Sequence, residues 1–133
     1  MIKLFIGSKG SGKTKTLIEM VNDAVNNSNG NVVCIEKGDK LIHDITYKAR
    51  LIDTNAYSVG DATALYGFIA GILASNSDIT DIFVDSALKI VGNDVDAFDK
   101  MLAKLDKITA EVNLVMTASI AVEDCPASVK AYA

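Results

Sequence analysis

Tryptophan is absent from this 133-residue chain, and proline and arginine occur once each, as Pro126 and Arg50. Proline-rich, low-complexity and repeat segments are all missing, so nothing marks a linker and a single domain over residues 1–133 is expected. Cysteine is scarce too. Cys34 and Cys125 do not make a disulfide scaffold, and no Cys-x-x-Cys metal spacing occurs. Positive charge is not in excess. The formal net charge is -4, which speaks against a nucleic-acid surface or an anionic membrane surface. Long apolar runs are lacking as well. The longest, Leu65 to Ala74, falls far short of a membrane span, and the opening MIKLFIG is too short for a signal-peptide core. A cytoplasmic protein without membrane contact is the expectation.

What the chain does have is hydrophobic content, at 50% of residues, enough for a core at this length. Short apolar runs alternate with helical patterns. IKLFI (2–6), NVVCIE (31–36), RLIDT (50–54), DIFVDS (81–86) and VNLVMTAS (112–119) read as five strands. Leu17, Ile18, Val21, Ala24 and Val25 recur at helical spacing, and Gly30 is read as the stop of that helix. A short helix is expected after the turn at Gly38 and Asp39. Further helices begin near Asp61 and Asp94, and Pro126 is placed to open a terminal one. Gly67 and Gly71, four apart in the helix from Asp61, read as close packing against the sheet. Strands separated by helices imply right-handed βαβ units, and hence a three-layer α/β/α domain with a parallel sheet of about five strands.

The most informative stretch is FIGSKGSGKTKTLI, residues 5–18. Gly7, Ser8, Lys9, Gly10, Ser11, Gly12, Lys13 and Thr14 fill the pattern G-x-x-x-x-G-K-[ST] between a strand and a helix, the context that pattern requires. Glycines let the backbone curl so that successive N–H groups face an anion, and the helix N-terminus adds partial positive charge. Lys13 is placed to reach outer phosphates, and Thr14 to put its hydroxyl on Mg²⁺. Lys9, Lys13 and Lys15 cluster in this stretch.

On these residues the chain resembles the P-loop NTPases. DIFVDS resembles that family's second acidic element, which implies that Asp85 holds Mg²⁺ together with Thr14; a strand-end helix cap is the other reading of Asp85. The element order is similar to the RecA-like branch, with an additional strand beside the first. In that branch a glutamate ends the second strand, so Glu36 is implied as the catalytic base beside Lys13, against a plain strand-end charge. Thr117 and Ser119 stand where relatives carry a γ-phosphate sensor, or are ordinary strand residues. An N-K-x-D guanine-reading element is missing, so ATP is implied rather than GTP. Lys9 is one place away from the signature lysine of the dimeric KGG ATPases, and that match fails. YGFIAGIL followed by IFVDSALKIV resembles small stand-alone bacterial P-loop proteins sometimes labelled twitching-motility-related ATPases. His43 stands alone and reads as a surface helix residue.

The resemblance implies an Mg²⁺–ATP-binding protein. With one arginine, it implies slow hydrolysis or a nucleotide-dependent switch that needs a protein partner or an oligomer. A small-molecule phosphotransferase and a non-enzymatic nucleotide-binding module are the alternatives. The arginine-rich lids usual in kinases speak against the first of these, although lysines are able to substitute.

Overall fold

β-Branched and aliphatic residues concentrate in five short runs, and each run forms a strand. The computed structural model describes residues 1–133. Its strands are β1 (Ile2–Gly7), β2 (Asn31–Glu36), β3 (Arg50–Asp53), β4 (Ile79–Val84) and β5 (Asn113–Ser119). All pairings are parallel, in the order β1-β5-β4-β2-β3. The helices are α1 (Lys13–Asn27), α2 (Ala62–Ser75), α3 (Ala87–Ile90), α4 (Val95–Ile108) and α5 (Ala127–Lys130). The α/β class and the five-stranded parallel sheet thus agree with the sequence. No helix is long and apolar enough to cross a membrane.

Alternation along the central strands sends side chains to two separate cores. Val32 and Cys34 of β2, Phe83 of β4 and Val115 of β5 pack with Leu17 and Val21 of α1. Their neighbours Val33, Ile35, Ile82, Val84, Leu114 and Met116 pack on the other face with α2, α3 and α4. Helices therefore cover both faces. Asp61 and Asp94 cap α2 and α4 by accepting from the N–H groups of Ala64 and Ala97. Pro126 is the N-cap residue of α5, just outside the first turn.

Three expectations need correction. The short helix after Gly38 is not formed, and residues 37–49 run in turns. The N–H of Ile45 donates to the carbonyl of Leu41 at 3.1 Å, but the turn does not continue. Asn22 of α1 takes the next backbone groups instead. Its amide donates to the Asp44 carbonyl at 3.0 Å and accepts from the Thr46 N–H at 3.0 Å. Leu41, Ile45 and Ala49 then fill the α1 side of the core.

The close packing expected at Gly67 and Gly71 is also absent. Both are exposed, and a Cβ at either would meet no atom within 4 Å. Leu65 and Ile69 seat α2 on the sheet and are fully buried, and residues two positions on point to the opposite side of a helix. In the sheet, β5 lies between β1 and β4.

Gly30 has a different role from the expected helix stop. α1 ends at Asn27 with Ser28 as its C-cap. A Cβ on Gly30 would lie 2.1 Å from the carbonyl oxygen of Asp78 and 2.7 Å from Thr80 Cγ2. The glycine lets two connections approach backbone to backbone, where the Asn31 N–H donates to that Asp78 carbonyl at 2.8 Å.

Candidate functional site

The site lies at the C-terminal ends of the strands, the usual ligand edge of an open parallel sheet. β1 runs into the glycine-rich loop, where Gly10 and Gly12 take φ of 85° and 87°, in the left-handed region that disfavours a Cβ. Gly12 is the N-cap residue of α1, and no side chain caps that helix. The first-turn N–H groups have no acceptor within the helix, so the loop presents donors and partial positive charge at one point. Lys13 folds back over the loop. Its ammonium donates to the carbonyls of Gly7 at 3.0 Å and Ser8 at 2.8 Å, and to the Ser11 hydroxyl at 3.1 Å. Burial lowers the Lys13 pKa, and the Asp85 carboxylate partly restores it.

Asp85 follows β4, and its N–H still donates to the Ile35 carbonyl, which holds it in line with the sheet. The Thr14 hydroxyl donates to Asp85 Oδ1 at 3.1 Å. The buried Thr117 hydroxyl donates to the same oxygen at 2.9 Å and accepts from the Ser86 N–H at 2.7 Å. Ser86 sits at φ 54°, in the left-handed region, which turns the chain into α3 and brings its N–H to Thr117. Thr14 and Asp85 meet although their strands are separated by β5. That intervening strand supplies the Thr117 hydroxyl between them. Thr117 is therefore committed to orienting Asp85, whereas Ser119 is exposed and lines the cavity.

Glu36 ends β2 and is 3% exposed. Its Oε2 accepts from the Leu41 N–H at 3.2 Å. Burial raises its pKa, the Leu41 and Lys40 N–H groups oppose that, and the Asp85 and Asp53 carboxylates add to it. Burial first, then the same Asp85 and Glu36 charges, push the Cys34 thiol up to about 12, so it stays protonated in the core.

These groups border one cavity of about 700 Å³. Lys9, Gly10, Gly12, Lys13, Thr14, Glu36, Asp85, Thr117 and Ser119 line it. Gly7, Ser8 and Ser11 are not part of that lining and instead accept from the Lys13 ammonium. Leu41 and Leu88 are the only apolar lining residues. Sequence reasoning missed Lys37, Lys40, Lys89 and Asn93, which line the same cavity. Lys37 and Lys40 follow directly after a strand's C-terminal end, and that position was the signal available for them. His43 is exposed on the β2–β3 connection and outside the cavity lining, and it is not on a helix. Arg50 begins β3, opposite Val33, at the other end of the sheet. A second hollow of about 480 Å³ lies at that far end, between α1 and the strand starts, and holds none of the expected residues.

The arrangement is suited to receive an anion, and Thr14 and Asp85 offer two oxygen donors beside it. No group of three or more His, Cys, Asp or Glu side chains forms a self-contained metal site. The structure thus defines an α/β protein with a polar, lysine-lined cleft at the carboxyl edge of its sheet. No known protein-family profile matches the chain, and no curated protein matches it in sequence.

Proposed function

We propose that the chain is a P-loop nucleotide-binding protein that takes Mg²⁺–ATP, with slow hydrolysis or a nucleotide-dependent switch as its activity. The observation that carries this reading is the 3.1 Å contact between Thr14 and Asp85, directly beside the uncapped glycine loop and Lys13. A hydroxyl and one carboxylate fit Mg²⁺, which keeps several waters and shares substrate phosphates rather than occupying an all-protein cage. When bound, the ion supplies charge neutralisation at the phosphates. The single strand between those bearing Gly7 and preceding Asp85 agrees with the additional-strand branch.

In this reading Lys13 leaves its loop carbonyls for a phosphate, and Thr117 holds the Asp85 carboxylate in orientation. Glu36 is the candidate base. Its raised pKa brings it toward neutral pH, where general bases work best. No arginine lines the cleft, so rapid turnover needs a group from a partner or a second copy. A phosphotransferase is the second reading, favoured by the lysines that converge on the cleft.

Calorimetric titration tests the assignment. Lys13→Ala should weaken ATP binding at least tenfold, about 1.4 kcal/mol, with the fold intact by circular dichroism. Asp85→Asn should weaken Mg²⁺–ATP more than metal-free ATP. Wild-type affinity in a folded Lys13→Ala variant would remove the nucleotide site.

A further inference from the structure

We propose that the cleft holds a second phosphate-bearing ligand, bound by Lys37, Lys40 and Lys89, which line it together with the glycine loop. This rests on the nucleotide reading and extends it to a substrate class, a phosphorylated acceptor or inorganic phosphate. Six lysines line the cavity, against the two carboxylates of Glu36 and Asp85. Lys9, Lys13 and Lys15 belong to the glycine loop and the start of α1. The other three come from different elements, the β2–β3 connection and α3. In a chain of net charge -4, that convergence is the work of the fold.

The segment carrying Lys37 and Lys40 is tied down at both ends. The Gly38 N–H donates to Asp53 Oδ1 at 2.8 Å, and the Leu41 N–H donates to Glu36 Oε2 at 3.2 Å. Glu36 and Asp53 are register partners at the ends of β2 and β3. Leu41 is buried in the core, and Gly38 takes a φ of 103° that allows the tight exit from β2. Two carboxylates thus anchor the backbone of a segment whose lysine side chains stay exposed at the cleft. Such preorganisation lowers the ordering cost of binding.

The chemistry favours phosphate over carboxylate. Lysines are point charges with freely turning donors, suited to a multiply charged, roughly tetrahedral anion. Planar guanidinium forks, which suit carboxylates, are absent from the cleft. Leu41 and Leu88 are the only apolar side chains that line the cleft, so an apolar second ligand would find few to pack on.

The test fills the nucleotide site first. The full chain is saturated with a non-hydrolysable Mg²⁺–ATP analogue, and inorganic pyrophosphate is titrated by calorimetry. One further pyrophosphate per chain is expected, weakened at least tenfold in the Lys37→Ala, Lys40→Ala, Lys89→Ala triple variant. Analogue affinity should fall by a smaller factor than pyrophosphate affinity in that variant. Its three side chains are exposed, so the fold should be kept. A parallel titration with glycerol 3-phosphate separates the sources: tighter ester binding identifies a phosphorylated acceptor, tighter pyrophosphate an inorganic one. Failure of both probes to bind while the analogue is bound would overturn the proposal, as would equal affinities in wild type and triple variant. If the analogue itself fails to bind wild type, the nucleotide reading falls separately. Pyrophosphate titrated alone into wild type and triple variant then still decides the lysine cluster.

Discussion

Glu36 joins two tasks that pull on its proton in opposite directions. It accepts an N–H bond that anchors the lysine-bearing connection, which favours the carboxylate. It is also buried near Asp85 and Asp53, which favours the acid, and burial is the larger influence. The folded protein therefore binds this proton more readily than the unfolded chain, whose glutamates titrate near about 4.3. The stability linked to that proton is present below this value and is lost as pH rises through the raised one. Glu36→Gln removes the penalty and keeps an acceptor oxygen. The variant should exceed wild type in stability at pH 8, by a margin that shrinks toward pH 4. Urea denaturation at the two pH values measures it, and a pH-independent difference would contradict the burial effect.

At the scale of elements, three glycines give substitutions of opposite sign. Gly67 and Gly71 lie on the exposed side of α2 with open space around them. Alanine at either should stabilise by about 0.8 kcal/mol through helix propensity. For a chain of this length that corresponds to a rise of about 3 °C in Tm. Gly30→Ala forces a methyl against the Asp78 carbonyl and should cost about 3 kcal/mol. Thermal melts of the three variants read both signs. A destabilised Gly67→Ala would mean that this face of α2 is covered in solution. No local pattern separates these glycines. Gly30 stands at a helix end, where a stop is the natural reading, while its real constraint comes from a connection 48 residues further along.

For the whole molecule, charge is unevenly spread. The net charge is -4, yet six lysines share one cleft. Anion binding there should depend strongly on ionic strength, since exposed charges are screened within about 10 Å at 0.1 M salt. Raising NaCl from 50 to 500 mM should weaken pyrophosphate binding by about tenfold or more. Flat affinity across that range would mean that the exposed lysines contribute little.

Strand positions, helix starts at Asp61 and Asp94 and the glycine loop were legible in the sequence, because each depends on neighbours within a few residues. Periodicity reports which face of an element is apolar, and a cap or a glycine turn is a local hydrogen-bonding problem. The order β1-β5-β4-β2-β3 was not legible, nor was the turn-rich path of residues 37–49. Both follow from contacts distant in sequence, such as Asn22 with Asp44 and Thr46. The site divides in the same way. The position of Lys13 and Thr14, where the glycine loop runs into α1, was legible in the sequence, since a loop motif carries its own geometry. That Thr117 holds Asp85 against Thr14, and that Lys37, Lys40 and Lys89 face the same cleft, was decided only by the tertiary structure. A parallel sheet brings the ends of strands remote in the chain to a single edge, and no local pattern records which of them become neighbours.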